Sequence, residues 1–139
     1  MYVVLDTNVL IAAFIWRRRL TPIYDAIRDS SITPCFTHKT FSELKRALWY
    51  PKFELQLLKN RIIPESMIRL LSSRSHFVLA LNQITEIKKD VSDNEILACA
   101  ISARADFIVS GDKHLLELKS CKGISIITPG KFIALMNER

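Results

Sequence analysis

Short apolar runs and longer amphipathic segments alternate along the chain, and this pattern predicts strands that alternate with helices. The apolar runs of strand length are Tyr2 to Leu5, Ile32 to Phe36, Phe77 to Leu81, Phe107 to Val109 and Ile124 to Ile127. Runs of this length, rich in β-branched and aromatic residues and bounded by polar turns, are typical of buried strands. We therefore expect about five strands.

Helical patterns fill the segments between these strands. They run from the turn at Asp6 to Phe14, Lys39 to Tyr50, Phe53 to Asn60, Pro64 to Arg74, Ser92 and Asp93 to Ala103, Lys113 to Leu118 and Pro129 to Asn137. In the second of these, Phe41, Leu44 and Leu48 recur on one helical face. Strands that alternate with helices predict a mostly parallel sheet covered on both faces, which is a three-layer α/β fold.

Length and composition agree with a single globular domain. The chain has 139 residues, of which 49% are hydrophobic and 24% charged, enough for one core but short for two. We expect residues 1–139 to form one domain. Cys35, Cys99 and Cys121 are widely spaced and form no CxxC pair, which argues against a disulfide framework or a zinc site and favours reduced, mostly buried thiols.

The N-terminal region does not resemble a membrane or export signal. The longest apolar run, Val9 to Trp16, is far shorter than the roughly 20 residues that span a bilayer. Asp6 lies where the hydrophobic part of a signal peptide would begin, and the basic residues follow that part instead of preceding it. We therefore expect a cytoplasmic protein that does not bind membranes.

Four acidic residues are predicted to lie at one edge of the sheet. Asp6 directly follows the first strand, and Asp112 lies just past Phe107 to Val109. Asp93 begins a helix at the same end, and Glu43 lies near the start of the helix after the second strand. Ligands of open α/β sheets bind beyond the carboxyl ends of the strands. Singly, each acid has another explanation, as a helix cap (Asp93), a turn residue (Asp6, Asp112) or a solvated carboxylate (Glu43).

Carboxylates that gather at one edge need a positive charge between them. At an effective dielectric of 20, two unit charges 4 Å apart repel by about 4 kcal/mol. Oxygen ligands without a Cys or His pattern select hard cations, so Mg²⁺ or Mn²⁺ is the expected occupant. Such an ion suits phosphodiester hydrolysis, because it activates a bound water and stabilises the charge that develops on the phosphate.

Charge and aromatic residues are compatible with a nucleic-acid partner. The 20 basic and 14 acidic residues give a net charge of +6, which favours a polyanion through long-range attraction. The basic residues near the predicted acids or helix ends are Arg17, Arg18, Arg19, Lys39, Lys45, Arg46, Lys52 and Lys113. These could track phosphates or simply form solvated helix faces. Trp16, Trp49 and Tyr50 could stack on bases or belong to the core or a dimer interface.

The motifs LDTNVL, SEL, DNEIL and SGDKHLL occur in this order along the chain. Together they resemble the PIN-domain ribonucleases, including VapC-like toxins of bacterial toxin–antitoxin pairs. The resemblance implies an endoribonuclease with one or two Mg²⁺ or Mn²⁺ ions and a parallel sheet of order 3-2-1-4-5. It also implies an RNA substrate, a small antitoxin partner and a homodimer.

The same resemblance assigns roles to particular residues. It makes Asp6, Glu43, Asp93 and Asp112 the catalytic, metal-binding acids. It makes Asn8 and Ser110 residues that orient these carboxylates or the scissile phosphate.

Two positions depart from the family pattern. Val91 and Ser92 precede Asp93, where related sequences often carry a proline and further acids, so Asp90 or Glu95 could share the role of Asp93. His114 stands where an acidic residue is common and could reduce the negative charge near a second ion, although a surface histidine is the simpler interpretation.

Two other functions remain open from the sequence. A phosphatase of the haloacid-dehalogenase type would use an Asp after the first strand as its nucleophile, but it usually needs a second Asp two residues later, where Asn8 stands. A catalytically inert PIN-like domain with a regulatory or interaction role is the second alternative. Degenerate members of that kind usually lose acids, whereas all four are present here.

Overall fold

A six-stranded sheet forms the centre of the computed structural model, which describes residues 1–80 and 91–138. In this described part the strands are β1 (Tyr2–Leu5), β2 (Thr33–Phe36), β3 (His76–Phe77), β4 (Phe107–Val109), β5 (Ser120–Cys121) and β6 (Ile124–Ile127). Their order is β3-β2-β1-β4-β6-β5, and every neighbouring pair is parallel except β5 and β6. The predicted parallel order of five strands is confirmed, with one antiparallel strand added at an edge.

Helices cover both faces of the sheet. They are α1 (Thr7–Ile15), α2 (Thr21–Arg28), α3 (His38–Ala47), α4 (Pro51–Lys59), α5 (Pro64–Arg74), α6 (Val91–Ala103), α7 (Lys113–Leu118) and α8 (Pro129–Asn137), with a short 3₁₀ turn at Arg18–Leu20. The strands show why two layers form: Val3 and Leu5 join the core beneath α1, whereas Val4 between them joins the core beneath α6. The predicted three-layer α/β fold is confirmed.

Among the described residues, the 3₁₀ turn, α2 and β5 were not predicted from the sequence. Helix α2 buries Ile23, Ala26 and Ile27, a three- and four-residue spacing that is typical of one helical face. The hairpin between β5 and β6 turns through Lys122 and Gly123, whose φ angles are 50° and 82°. Two successive positive φ values fit the tight turn that matches the twist of antiparallel strands.

Several predicted boundaries differ from the structure. Helix α3 ends at Ala47 instead of Tyr50, and α4 begins at Pro51 instead of Phe53, because proline is favoured in the first turn of a helix. Strand β3 is only two residues long, and the predicted end of that strand at Leu81 lies outside the described residues.

Helix α6 includes Val91, so Asp93 lies inside its first turn and is not the cap that the sequence predicted. Among the described residues, no helix has both the length and the apolar character that a membrane crossing requires.

The three cysteines lie in the described part of the chain, where all are buried and none forms a disulfide. Burial raises the pKa of Cys35 to about 12 and that of Cys99 to about 11. Both thiols are therefore protonated at neutral pH, and a protonated thiol is a poor nucleophile.

We predict that an aromatic disulfide reagent labels the folded protein slowly at about pH 8, because burial and protonation both protect the thiols. The same reagent should titrate all three thiols at once after the protein is unfolded in guanidinium. The absorbance of the released chromophore measures both. Rapid labelling of Cys35 and Cys99 in the folded protein would contradict this.

Candidate active site

Asp6 connects the end of β1 to the start of α1. Its backbone N–H donates to the carbonyl of Val109 at 3.0 Å, and its own carbonyl accepts from Leu10. Asp6 occupies the cap position of α1, but its side chain makes no capping hydrogen bond. The carboxylate instead accepts a hydrogen bond at Oδ2 from the hydroxyl of Ser110, at 2.7 Å. The carboxylate of Asp6 is thus held at the sheet edge and not over the helix end.

Ser110 links Asp6 to Asp112. It follows β4, the neighbour of β1, and is completely buried. Its backbone N–H donates to Ile127 at 3.0 Å, which fixes it to β6. While its hydroxyl donates to Asp6, the same oxygen accepts the backbone N–H of Asp112 at 2.9 Å. One buried hydroxyl therefore orients two of the predicted acids.

Asp112 is a helix cap as well as a neighbour of Asp6. Its Oδ1 accepts from the backbone N–H groups of His114 at 2.8 Å and Leu115 at 3.1 Å, at the start of α7. Asp112 is therefore a helix cap, whereas the sequence had left open only a turn role beside the acidic site. These bonds occupy one carboxylate oxygen, and Asp112 is close enough to Asp6 to disfavour its negative charge.

The other two predicted acids line a small cavity together with Asp6. The cavity has a volume of about 20 Å³, and its lining consists of Asp6, Thr7, Thr40, Glu43, Asp93 and Ile96. This volume is close to that of one water-sized group. Glu43 reaches the cavity from α3 and Asp93 from α6, where only 5% of Asp93 is exposed. Three of the four acids therefore surround one space, and Asp112 is joined to it through Ser110.

The charge on Asp6 is disfavoured in the folded protein. Burial is the largest cause of its raised pKa, and the neighbouring carboxylates of Asp112 and Glu43 raise it further. The hydrogen bonds from the side chain of Ser110 and the backbone of Thr7 act in the opposite direction but do not cancel the effect. A bound cation would remove this penalty.

The donor set fits a hard cation. In the part of the chain that the structure describes, no three His, Cys, Asp or Glu side chains are already arranged as a complete metal-binding group. The cavity nevertheless presents oxygen donors from Asp6, Glu43 and Asp93 around a volume near that of one ion. Carboxylate oxygens without sulfur or imidazole are the ligands that Mg²⁺ and Mn²⁺ prefer.

The remaining predicted residues have different positions. Asn8 is exposed on the first turn of α1 and does not line the cavity, and His114 is exposed on α7. Glu95 is half-buried on α6 but is not part of the cavity lining, and Asp90 lies outside the described residues.

Thr7, Thr40 and Ile96 line the cavity, although the sequence analysis assigned them no role. The signal was helical spacing, since Thr40 is three residues before Glu43 and Ile96 three residues after Asp93.

The arginines at the end of α1 lie far from the acids. Arg17 is separated from Asp6 by the whole helix, roughly 16 Å at 1.5 Å per residue, and its guanidinium stacks 4.0 Å from the ring centre of Tyr24. Of the two interpretations left open from the sequence, exposed positions at the far end of α1 favour a solvated helix end for Arg17, Arg18 and Arg19. Lys39, by contrast, lies on the first turn of α3, the helix that carries Glu43.

Some of the basic and aromatic residues that could have bound RNA pack against the protein itself, and others are exposed. Lys45 lies over the ring of Phe41, and Lys52 lies over that of Phe53. Trp16 packs edge-on against Phe53, which makes it part of the core margin. Trp49 and Tyr50 are 65% and 42% exposed.

A parallel sheet with carboxylates gathered beyond its strand ends defines an α/β protein with an acidic site at the sheet edge. The sequence profile of the PIN domain family matches residues 2–114. The chain therefore belongs to the PIN domain family, whose members are generally nucleases.

Among solved structures, one similar chain comes from the crystal structure of VapBC2 from Rickettsia felis bound to a DNA fragment from their promoter. The two chains share 16% identity with a TM-score of 0.59, and the match covers 92% of this chain and 98% of the other. At this identity the match shows the fold. No curated protein matches the sequence significantly.

We predict that Asp6→Asn stabilises the metal-free protein at neutral pH. The fold raises the pKa of Asp6, so ionised Asp6 destabilises the folded state above that pKa, and the penalty vanishes below the unfolded value of about 3.9. In chelator at about pH 7.5 the variant should melt a few degrees higher than wild type, and this gain should shrink as the pH falls.

Asp25→Asn is the matched control, because Asp25 is exposed on α2 and does not line the cavity. Its melting temperature should follow that of wild type at both pH values. An Asp6→Asn protein that melts below wild type in chelator would show that the ionised carboxylate stabilises the fold, contrary to this account.

Proposed function

We propose that this protein is a Mg²⁺- or Mn²⁺-dependent endoribonuclease in which Asp6, Glu43, Asp93 and Asp112 hold one or two ions. The observation that carries the proposal is the cavity that Asp6, Glu43 and Asp93 share, with Asp112 tied to Asp6 through Ser110. Membership of the PIN domain family supports a nuclease.

Asp6, Glu43, Asp93 and Asp112 would hold the ion, which would supply Lewis acidity to activate water and to stabilise charge on the phosphate in a hydrolysis without a covalent intermediate. The protein residues prepare this chemistry. Ser110 holds Asp6 at the cavity and favours its ionised form by donating to it. Asp112 uses Oδ1 to cap α7, which leaves Oδ2 as its donor for an ion.

The charge of the protein supports RNA as the substrate. The net charge of +6 attracts a polyanion. Lys39 begins the helix that carries Glu43, and Lys113 directly follows Asp112, and both lysines are exposed. We assign them to contacts with phosphates that flank the scissile bond. Binding should therefore weaken as salt concentration rises.

We further propose that the protein is the toxin of a toxin–antitoxin pair, with a small antitoxin as its partner and a homodimer as its assembly. The fold that it shares with the VapBC2 chain supports the toxin role and the antitoxin partner, whereas the homodimer is carried over from the family resemblance. Leu55, Leu58 and Ile63, on α4 and the connection to α5, are 59%, 71% and 61% exposed. Exposed apolar groups of this size offer surface for protein contacts.

The two alternatives have less support. A phosphatase with an aspartyl nucleophile would need an acid where the exposed Asn8 stands. An inert domain would have no need of the Ser110 bridge between Asp6 and Asp112. A phosphoaspartyl intermediate would favour the phosphatase.

The direct test is incubation of the purified protein with a mixed pool of RNA and Mn²⁺. We expect cleavage that stops with chelator and falls at least ~100-fold in Asp6→Asn and Asp112→Asn, because each loses a charge that the ion needs. Gel analysis of the products measures the rate.

Asp25→Asn provides the matched control and should cleave like wild type, since Asp25 is exposed on α2, outside the cavity lining. Cleavage that survives both chelator and Asp6→Asn would belong to a contaminant. A folded wild-type protein that binds no Mn²⁺ and cuts no RNA would favour the inert domain.

We also predict that Ser110→Ala weakens Mn²⁺ binding by about 10-fold, because residues that orient metal ligands typically have effects of this size. Calorimetric titration with Mn²⁺ measures it. Ser125→Ala, on the exposed side of β6, is the control and should bind like wild type. Equal affinity in both variants would remove Ser110 from the site.

A further inference from the structure

A buried polar cluster lies next to the acid cavity, and it consists of Thr37, Thr40 and Cys99. Thr37 and Thr40 are 4% and 6% exposed, and Cys99 is fully buried. Thr37 follows β2 and caps α3, Thr40 lies in the first turn of α3, and Cys99 lies on α6. Thr40 belongs to both the cluster and the cavity lining.

Within α3 the two threonines satisfy each other's backbone. The Thr40 N–H donates to Oγ1 of Thr37 at 3.2 Å, and the Thr37 N–H donates to Oγ1 of Thr40 at 2.9 Å. This is a capping box in which threonine replaces the usual Glu or Gln. The short side chain makes the reciprocal bond without filling the cavity that it lines.

The cluster also joins α3 to α6 and to the sheet. Thr40 of α3 lines the cavity together with Asp93 and Ile96 of α6, and the Thr40 side chain and Thr37 backbone lower the pKa of Cys99 against the effect of its burial. The Cys99 thiol donates to the carbonyl of Cys35 on β2 at 3.5 Å. Thr40 therefore lies where the start of α3 faces α6 across the cavity.

Helical spacing explains why Thr40 lies on the same side of α3 as Glu43. Glu43 is three residues after Thr40 on α3, and Ile96 is three residues after Asp93 on α6. Residues three apart share a helical face. The face of α3 with Thr40 and Glu43 and the face of α6 with Asp93 and Ile96 therefore meet at the cavity.

We propose that Thr40 is a positioning residue, whose hydroxyl sets the separation between Glu43 and Asp93 and thereby the affinity of the cavity for a divalent cation. This inference rests on the proposed metal centre. Without the hydroxyl, the buried N–H of Thr37 loses its acceptor, so the first turn of α3 shifts against α6. A cavity of about 20 Å³ does not tolerate such a shift without a change in donor spacing.

The test compares Thr40→Val, which keeps the shape but removes the hydroxyl, with Thr40→Ser, which retains the hydroxyl. Calorimetric titration of the folded proteins with Mn²⁺ should give about 10-fold weaker binding for the valine variant and near wild-type binding for the serine variant. Melting in chelator measures the separate effect on stability.

Thr128→Val is the matched control. Thr128 caps α8 by accepting from the N–H of Lys131 at 3.2 Å, but it does not line the cavity. This variant also loses a helix cap, so it should melt lower in chelator while it binds Mn²⁺ like wild type.

Wild-type Mn²⁺ affinity in a folded Thr40→Val protein would overturn the inference while leaving the metal centre in place. If Thr40→Val does not fold, Thr40→Ala removes the same hydroxyl and should weaken Mn²⁺ binding too, and unchanged affinity there would also overturn the inference. Absence of Mn²⁺ binding by wild type would instead overturn the metal centre itself.

Discussion

The site depends on one electrostatic constraint, which is the burial of Asp6 beside other carboxylates. Burial raises the pKa of Asp6, and Asp112 and Glu43 raise it further. A parallel sheet imposes this arrangement, because the residues that follow adjacent strands emerge at the same edge. The hydroxyl of Ser110 offsets part of the cost, and a cation in the cavity would offset much more.

The strands and helices around Asp6 fix the position of the sheet edge at which it lies. The strand β1 lies between β2 and β4, and α1 leaves from Asp6 into a core that buries Val9, Leu10 and Ile11. A dense core transmits small displacements instead of absorbing them. The positions of Glu43 and Asp93 are therefore set by how α3 and α6 pack, which is why the buried hydrogen bonds between Thr37 and Thr40 matter at the cavity.

The sequence could predict those features of the fold and site that depend on the residue pattern within a single strand or helix. Hydrophobic periodicity predicted the five parallel strands, and strand ends predicted the location of Asp6 and Asp112, whereas Glu43 and Asp93 depended mainly on family resemblance. The β5 strand, at two residues, is too short to show a period. Family resemblance predicted an orienting role for Ser110, but its bonds to Asp6 and Asp112 are seen only in the folded chain. The position of Thr40 opposite α6 likewise depends on how the two helices pack.

The central claim is that the buried carboxylates form a divalent metal centre. Crystals grown with Mn²⁺ and measured for its anomalous scattering test this most directly, because the signal locates the ion without reference to activity. The account predicts a peak in the cavity between Asp6, Glu43 and Asp93, lost in Asp6→Asn. A peak at a different place, or none in a cavity whose carboxylates are otherwise ordered, would contradict it.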